Sequence, residues 1–281
     1  MKKLVVCLLI LTLLCALPLT FFGCAHHGAV LYRPSKYKET IDLSKYDLVF
    51  FDDFEGELDR TIWGDTRQGY RRDGYWTRDL AFTDGKGHLV IRTEWRDATD
   101  TEPAGVYSGA VRTSNPQTPD IGYRHGFGYY EIRCKLPDVK GIWHAFWMMC
   151  GDVYSTENGS ADGVEIDVFE YLPALDAVNV ALHWDGYDEA HKNAHKRFEK
   201  TKFADGEYHT FGMNWDEDGY TFYIDGRKVW TSTGGGVCHE NGYMKISTEY
   251  GEWGDWVGKL DLKDLPVDWV IDYVKIYDKK S

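Results

Sequence analysis

The chain has 281 residues, with 45 acidic against 32 basic side chains and a formal net charge of −13. So acidic a balance argues against nucleic acid and strongly anionic polymers, which are held by basic surfaces. The length suits one large all-β domain and does not demand two.

Met1-Lys2-Lys3 precede an apolar run from Leu4 to about Phe22, which ends in the small residues Gly23, Cys24 and Ala25. Residues 1–23 therefore read as a secretory signal. A permanent anchor helix is the alternative, since the run is marginally long enough to span a bilayer. Cys24 directly after Gly23 is similar to the lipid-attachment site of bacterial lipoproteins, although Phe21 stands where that pattern prefers Leu. Cleavage after Ala25 by an ordinary signal peptidase is the other option. Either route exports the protein, as a lipoprotein of a bacterial cell envelope or as a secreted or periplasmic protein. A lipid on Cys24 would tether it without spanning the membrane.

Residues 24–46 read as a polar tether and 47–281 as the folded domain. From Leu48 onward short strand-like runs follow one another, among them Leu48 to Phe51, His88 to Arg92, Tyr129 to Leu136, Ala145 to Met149, Tyr220 to Ile224 and Val270 to Tyr277. Asp84-Gly85-Lys86-Gly87, Asp218-Gly219 and Asp225-Gly226 between them fit hairpin turns. Long amphipathic helix patterns are absent, and Asp188 to Lys200 reads as a short helix or a solvated loop. Many short strands in one long domain predict an all-β sandwich or jelly roll. Beyond Cys24 the cysteines are Cys134, Cys150 and Cys238, an odd number at irregular spacing. Cys134 alternates with Ile132 and Leu136 and reads as a buried thiol, with a Cys134–Cys150 bridge left open.

The segment richest in chemistry is Glu165-Ile166-Asp167-Val168-Phe169-Glu170, three acids interleaved with strand-forming residues. On a strand Glu165 and Asp167 share one face, and Glu170 would point to the other. One inserted residue, a bulge near Val168 or Phe169, would return Glu170 to the acidic face. Like charges so close destabilise a strand. The trio is explained by a solvent-facing strand, by a Ca²⁺ site, or by the paired carboxyls that cleave glycosidic bonds. In the last case Asp167 between the glutamates would raise the proton affinity of its neighbours. Phe169 and Tyr171 would add desolvation at Glu170, as an acid catalyst requires.

With these residues in view, the chain resembles glycoside hydrolase family 16, in its laminarinase and endo-β-galactosidase-like branch with the bulged Glu-x-Asp-x-x-Glu signature. The resemblance extends to Phe51-Asp52-Asp53-Phe54-Glu55-Gly56, Tyr107 to Thr113, Gly126 to Arg133, Gly141 to Met149, Tyr208 to Trp215 and Ile271 to Tyr277. It implies a β-jelly-roll sandwich of the concanavalin A-like lectin and glucanase type, with a concave substrate cleft. It also implies retaining endo-hydrolysis of a poly- or oligosaccharide, with Glu165 as nucleophile, Glu170 as acid/base and Asp167 as assisting acid. No cofactor is required for that chemistry. A structural Ca²⁺ is an option, for which the resemblance points to Asp272. A non-catalytic lectin-like module and a transglycosylase are the competing readings of the same sandwich, and a monomer is expected.

The sequence contains eleven tryptophans, whose rings stack on sugars or fill cores. Trp143 and Trp147, four apart before the acids, are expected in the cleft, with His183, Trp184, Trp253 and Trp256 as further substrate-binding candidates. Trp63, Trp95, Trp215, Trp230 and Trp269 read as core or surface. His191 and His195 would suit a metal only on a helix, and they lack an evident third ligand. His144, Glu249-Tyr250-Gly251-Glu252-Trp253 and the aromatic stretch His183 to Tyr187 depart from the glucanase pattern. They leave both a β-1,3-glucan and a β-galactan open as substrates, and the acidic net charge weighs against heavily sulfated galactans.

Overall fold

Strand patterning of period two sends alternate side chains to opposite sheet faces, and the chain uses it to build two layers. A computed structural model describes residues 29–115, 118–251 and 254–281, without the side chains of 118–121. Among the described residues the strands form a sheet of eight, a sheet of eleven and a two-stranded ribbon, in a β-jelly-roll sandwich. Across the sheet of eight the spatial order is Val30–Leu31, Lys192–Glu199, Ala177–Trp184, Gly163–Leu172, Ile142–Gly151, Gly242–Tyr250, Ala110–Arg112 and Gly64–Asp65. The acidic strand Gly163–Leu172 lies at its centre, antiparallel to Ile142–Gly151 and Ala177–Trp184.

The core lies between the sheets. Phe146, Met148, Ile166, Val180 and Leu182 from the sheet of eight meet Tyr130, Ile132, Phe211, Met213 and Val274 from the sheet of eleven. Full burial of each such aliphatic or aromatic side chain contributes about 1.5–3 kcal/mol. Along the acidic strand, Ile166, Val168, Phe169 and Tyr171 all belong to this core. Val168 and Phe169 therefore point the same way although adjacent, and the register shows how. Asp167 pairs with Trp147 and Phe169 with Phe146, so Val168 has no opposite number. On the other side Asp167 pairs with Ala181 and Glu170 with Asn179, again with one residue extra on the acidic strand. This is a β-bulge at Val168.

Glycines bring the strand in. Gly151, at φ +60, would put a Cβ 2.3 Å from the Asp162 carbonyl oxygen, and Gly163 would put one 2.2 Å from the Asp152 carbonyl carbon. No side chain fits either place, so the backbones of the two strands close together beneath the connecting loop.

Two expectations are corrected, and the cysteine reading is decided in favour of buried thiols. Residues 30–46 are not a free tether. Val30 and Leu31 pair in parallel with Phe198 and Glu199, and Tyr32 is buried against Phe198 and Phe203 at centroid distances of 6.2 and 5.2 Å. A low apolar count hid a few aromatic anchors that cover an otherwise open sheet edge. Residues 188–200 form neither helix nor loop throughout, because Lys192–Glu199 is a strand paired with all of Ala177–Trp184. Its charged residues suit a position near the edge, and pairing overrides helix propensity. Cys134, Cys150 and Cys238 are all buried free thiols, so no Cys134–Cys150 bridge forms.

Phe169 stacks on Phe211 at 4.0 Å between centroids and meets Trp269 edge-on at 5.9 Å. Phe169→Ala is expected to cost about 3–5 kcal/mol of unfolding free energy, read by urea denaturation, because the cavity opens under the bulge.

Candidate active site

The outer face of the sheet of eight carries a cleft of about 710 Å³. Its floor follows from the register. Asp167, Trp147, Lys245 and Arg112 are successive partners across four strands, and Glu170, Ala145, Ser247 and Ala110 form the parallel row. The second row is small beside Glu170, leaving space between the acids and Trp143. Glu165, Asp167 and Glu170 all line this cleft.

Each acid has its own support. Tyr187 donates its hydroxyl to Glu165 Oε2 at 2.5 Å. Asp167, 5% exposed, lies 3.2 Å through Oδ2 from His183 Nε2. His183 Nδ1 is 2.9 Å from His191 Nε2, and the two rings stack at 5.1 Å. Asn179 Nδ2 donates to Glu170 Oε2 at 2.8 Å. Burial and then the charge of Asp167 push both glutamates up, Glu165 to about 7 and Glu170 to about 8. At Glu165 the Tyr187 hydrogen bond opposes the rise. Burial works against a charged His183, but its bond to Asp167 and the field of the three carboxylates outweigh that and raise its pKa to about 9. The result is a proton-sharing cluster whose titration belongs to the group rather than to any one member.

Trp143 and Trp147 line the cleft as expected from their spacing. Trp256 packs against Trp143, the two ring centroids 5.1 Å apart. Trp184 is a correction. It is 7% exposed and belongs to the inter-sheet core, since alternation puts it opposite His183. His144 also turns inward, 1% exposed, with Nδ1 2.8 Å from Thr248 Oγ1 and its pKa lowered to about 3 by burial. Cys24 and Trp253 lie outside the described residues.

The metal expectations find little to hold an ion. Asp272 accepts a hydrogen bond from Arg133 Nη1 through Oδ2, so one of its carboxylate oxygens is paired with a guanidinium. His195 bonds Asn193 while His191 faces His183, so the two do not converge as a helical pair. Among the described residues Glu165, Asp167 and His183 are the one group of three potential ligand residues together, two acids of the cleft itself and the histidine that supports them.

Several cleft residues were not anticipated: Lys245, Arg71, Arg72, Arg112, Asn179 and the role of Tyr187. A signal existed for the first. In Gly242–Tyr250 the polar residues Lys245, Ser247 and Glu249 alternate with Met244 and Ile246, which marks a polar face two strands from the acids. Arg71 and Arg72 reach the cleft from the segment around residue 70 and Arg112 from the strand Ala110–Arg112, all distant in sequence from the acids, and nothing local announces them.

Against this geometry stand the known proteins. The model of the family "Glycosyl hydrolases family 16" matches residues 81–274. The glucan endo-1,3-beta-glucosidase A1 of Niallia circulans is 28% identical over 83% of this chain and 38% of its own length. The keratan-sulfate endo-1,4-beta-galactosidase of Sphingobacterium multivorum is 24% identical over 96% of this chain and 66% of its own. The chain thus spans about a third to two thirds of the length of these curated relatives. The catalytic domain of an endo-1,3-beta-glucanase (laminarinase) from Thermotoga petrophila RKU-1 superposes with a TM-score of 0.68 at 25% identity, covering 84% of this chain and 99% of that one.

The raised carboxyls have a consequence for stability. Folding favours their protonated forms, so their contribution is full below the ordinary value of 4.5 and is lost as pH rises through about 7 and about 8. Glu170→Gln removes one such titration. Its melting temperature should exceed that of the unaltered protein by several degrees at about pH 9 and match it at about pH 4 in thermal denaturation scans.

Proposed function

The chain belongs to glycosyl hydrolases family 16, and on that premise we propose that it is a retaining endo-β-glycosidase. It hydrolyses internal β-linkages of a poly- or oligosaccharide, a β-1,3-glucan or a β-galactan. The observation that carries the reading is the bulge at Val168, which lines up Glu165, Asp167 and Glu170 on the cleft face.

The chemistry runs in two displacements. Glu165 attacks the anomeric carbon while Glu170 gives its proton to the glycosidic oxygen, so the leaving chain departs as an alcohol and the sugar stays as an ester on Glu165. Ionised Glu170 then takes a proton from water, which attacks the same carbon and frees Glu165. Two inversions give net retention. The raised pKa of Glu170 keeps its proton available near neutral pH. The Tyr187 hydroxyl and the charges of His183 and Lys245 favour the ionised nucleophile. Asp167, hydrogen-bonded to His183, holds that imidazolium beside the reacting groups.

Relatives named for a glucan and for keratan sulfate support either backbone. The apolar run before Cys24 supports export, and Cys24 a lipid tether. Loss of membrane association in Cys24→Ser cells, read by fractionation, is the outcome expected of the tether.

The test is digestion of laminarin, mixed-linkage glucan, agarose and mucin-type glycans, with product sizing and proton NMR of the first anomer formed. Internal cuts and a β-anomer are expected, Glu165→Gln should lose nearly all turnover, and Glu170→Gln should lose about 10²–10⁴-fold. The pH profile of kcat/KM should be bell-shaped, rising as Glu165 ionises and falling as Glu170 loses its proton. An α-anomer released first would sink the retaining mechanism.

A further inference from the structure

The cleft is divided by charge. Glu165, Asp167 and Glu170 stand on one flank, and Arg67, Arg71, Arg72, Arg112 and Lys245 line the rest with a single carboxylate, Glu249. A net charge of −13 over the whole chain conceals this basic wall. The register sets its distance from the acids. Lys245 is two strands and Arg112 three strands from Asp167 in the same row. At roughly 4.8 Å per strand their backbones lie about 10 and about 14 Å from that of Asp167, within a short oligosaccharide's length along the cleft.

The cations are held at a cost. Lys245 is half-buried, with its ammonium 3.5 Å from the centroid of Trp147, and it forms no ion pair among the described residues. Burial pushes its pKa down to about 7, with the Glu165 charge opposing and the Arg71 and Arg112 charges adding to the fall. Glu249 is 4% exposed and takes two guanidinium groups at once. Its Oε1 accepts from Arg71 Nε at 3.0 Å and Nη2 at 2.7 Å, and its Oε2 from Arg72 Nε at 2.9 Å. Arg71 also lies 4.8 Å over the Trp76 ring, which fixes its plane. Arg112 Nε donates to a neutral acceptor, the Asp65 carbonyl oxygen, at 2.8 Å. Lys245 alone would serve as a counter-charge for the nucleophile. The arginines farther along the same wall have no such use: Arg71 and Arg72 share the single carboxylate of Glu249 and Arg112 Nε has a neutral acceptor, so the wall carries more cations than anions until an anion joins it.

We propose that this wall is a subsite for an anionic substituent, a sulfate ester or a sugar carboxylate, on the glycan that the cleft receives. Lys245 and Arg112 are its direct ligands, and the pair held by Glu249 closes its edge. The inference rests on the glycosidase reading and adds a substrate class to it. It also reverses, locally, what the net charge suggested about sulfated galactans.

The experiment is titration of Glu165→Gln protein with oligosaccharides matched except for charge. One pair is a keratan sulfate oligosaccharide and its desulfated form, a second is a sialylated oligosaccharide and its desialylated form, and a neutral laminarin oligosaccharide is the reference. A charged member should bind at least about 10-fold more tightly than its neutral partner, and the pair that shows this separates sulfate from carboxylate. In the added K245Q/R112Q background the preference should fall below about twofold. Raising NaCl on the otherwise unaltered Glu165→Gln protein should erode it too, a readout independent of how the double substitution folds. Equal affinity within both pairs, or no binding of either charged member, overturns the subsite. Selective binding of a charged member by a wild-type protein that cleaves none of the panel would remove the hydrolase reading and leave the subsite standing.

Discussion

One extra residue, Val168, is the constraint on which the rest depends. It lets Val168 and Phe169 sit side by side in the core and still sends Glu170 outward with Asp167. A regular strand would drive the Glu170 carboxyl between the sheets, where an isolated charge is very costly. Packing holds the bulge in place, because Phe169 is caught between Phe211 and Trp269 from the opposite sheet. The catalytic geometry and the hydrophobic core are therefore one object. A change that loosens Phe169 also changes where Glu170 points.

Bringing three acids onto one ridge creates an electrostatic problem that the surroundings answer differently at each position. Asp167 faces His183, which leans on His191, so its charge is matched by an imidazolium. Glu165 receives a tyrosine hydroxyl and Glu170 the Asn179 amide, while burial and the charge of Asp167 raise the proton affinity of both. Two chemically identical side chains thus meet different hydrogen-bond partners on either side of the same aspartate. Past Trp147 the sign changes, and the cleft becomes a field running from acids to cations along the direction in which strands neighbour one another.

The acidic strand, its bulge and the sandwich were legible because each follows from alternation and spacing within a few residues. Trp143 and Trp147 were legible for the same reason. Trp184 was misread although alternation places it opposite His183, because its chemistry was weighed without its face. Tyr32 and Lys192–Glu199 were misread because edge covering and strand pairing are long-range events. The basic wall was the hardest to see. Arg71 and Arg72 join Glu249 across 178 and 177 residues of chain, so only the folded sheet brings them together. Summed charge hid it further, since acids elsewhere outnumber the cleft's cations.

The assignment of roles to Glu165 and Glu170 is tested most directly by azide rescue. Glu170→Ala and Glu165→Ala proteins would each be given a dinitrophenyl β-glycoside of the glycan that is cleaved, with sodium azide. The account predicts that Glu170→Ala yields the β-glycosyl azide, because the covalent intermediate on Glu165 still forms. It predicts that Glu165→Ala yields the α-azide, by direct attack from the vacated side. The opposite pairing, or β-azide from Glu165→Ala, would contradict it.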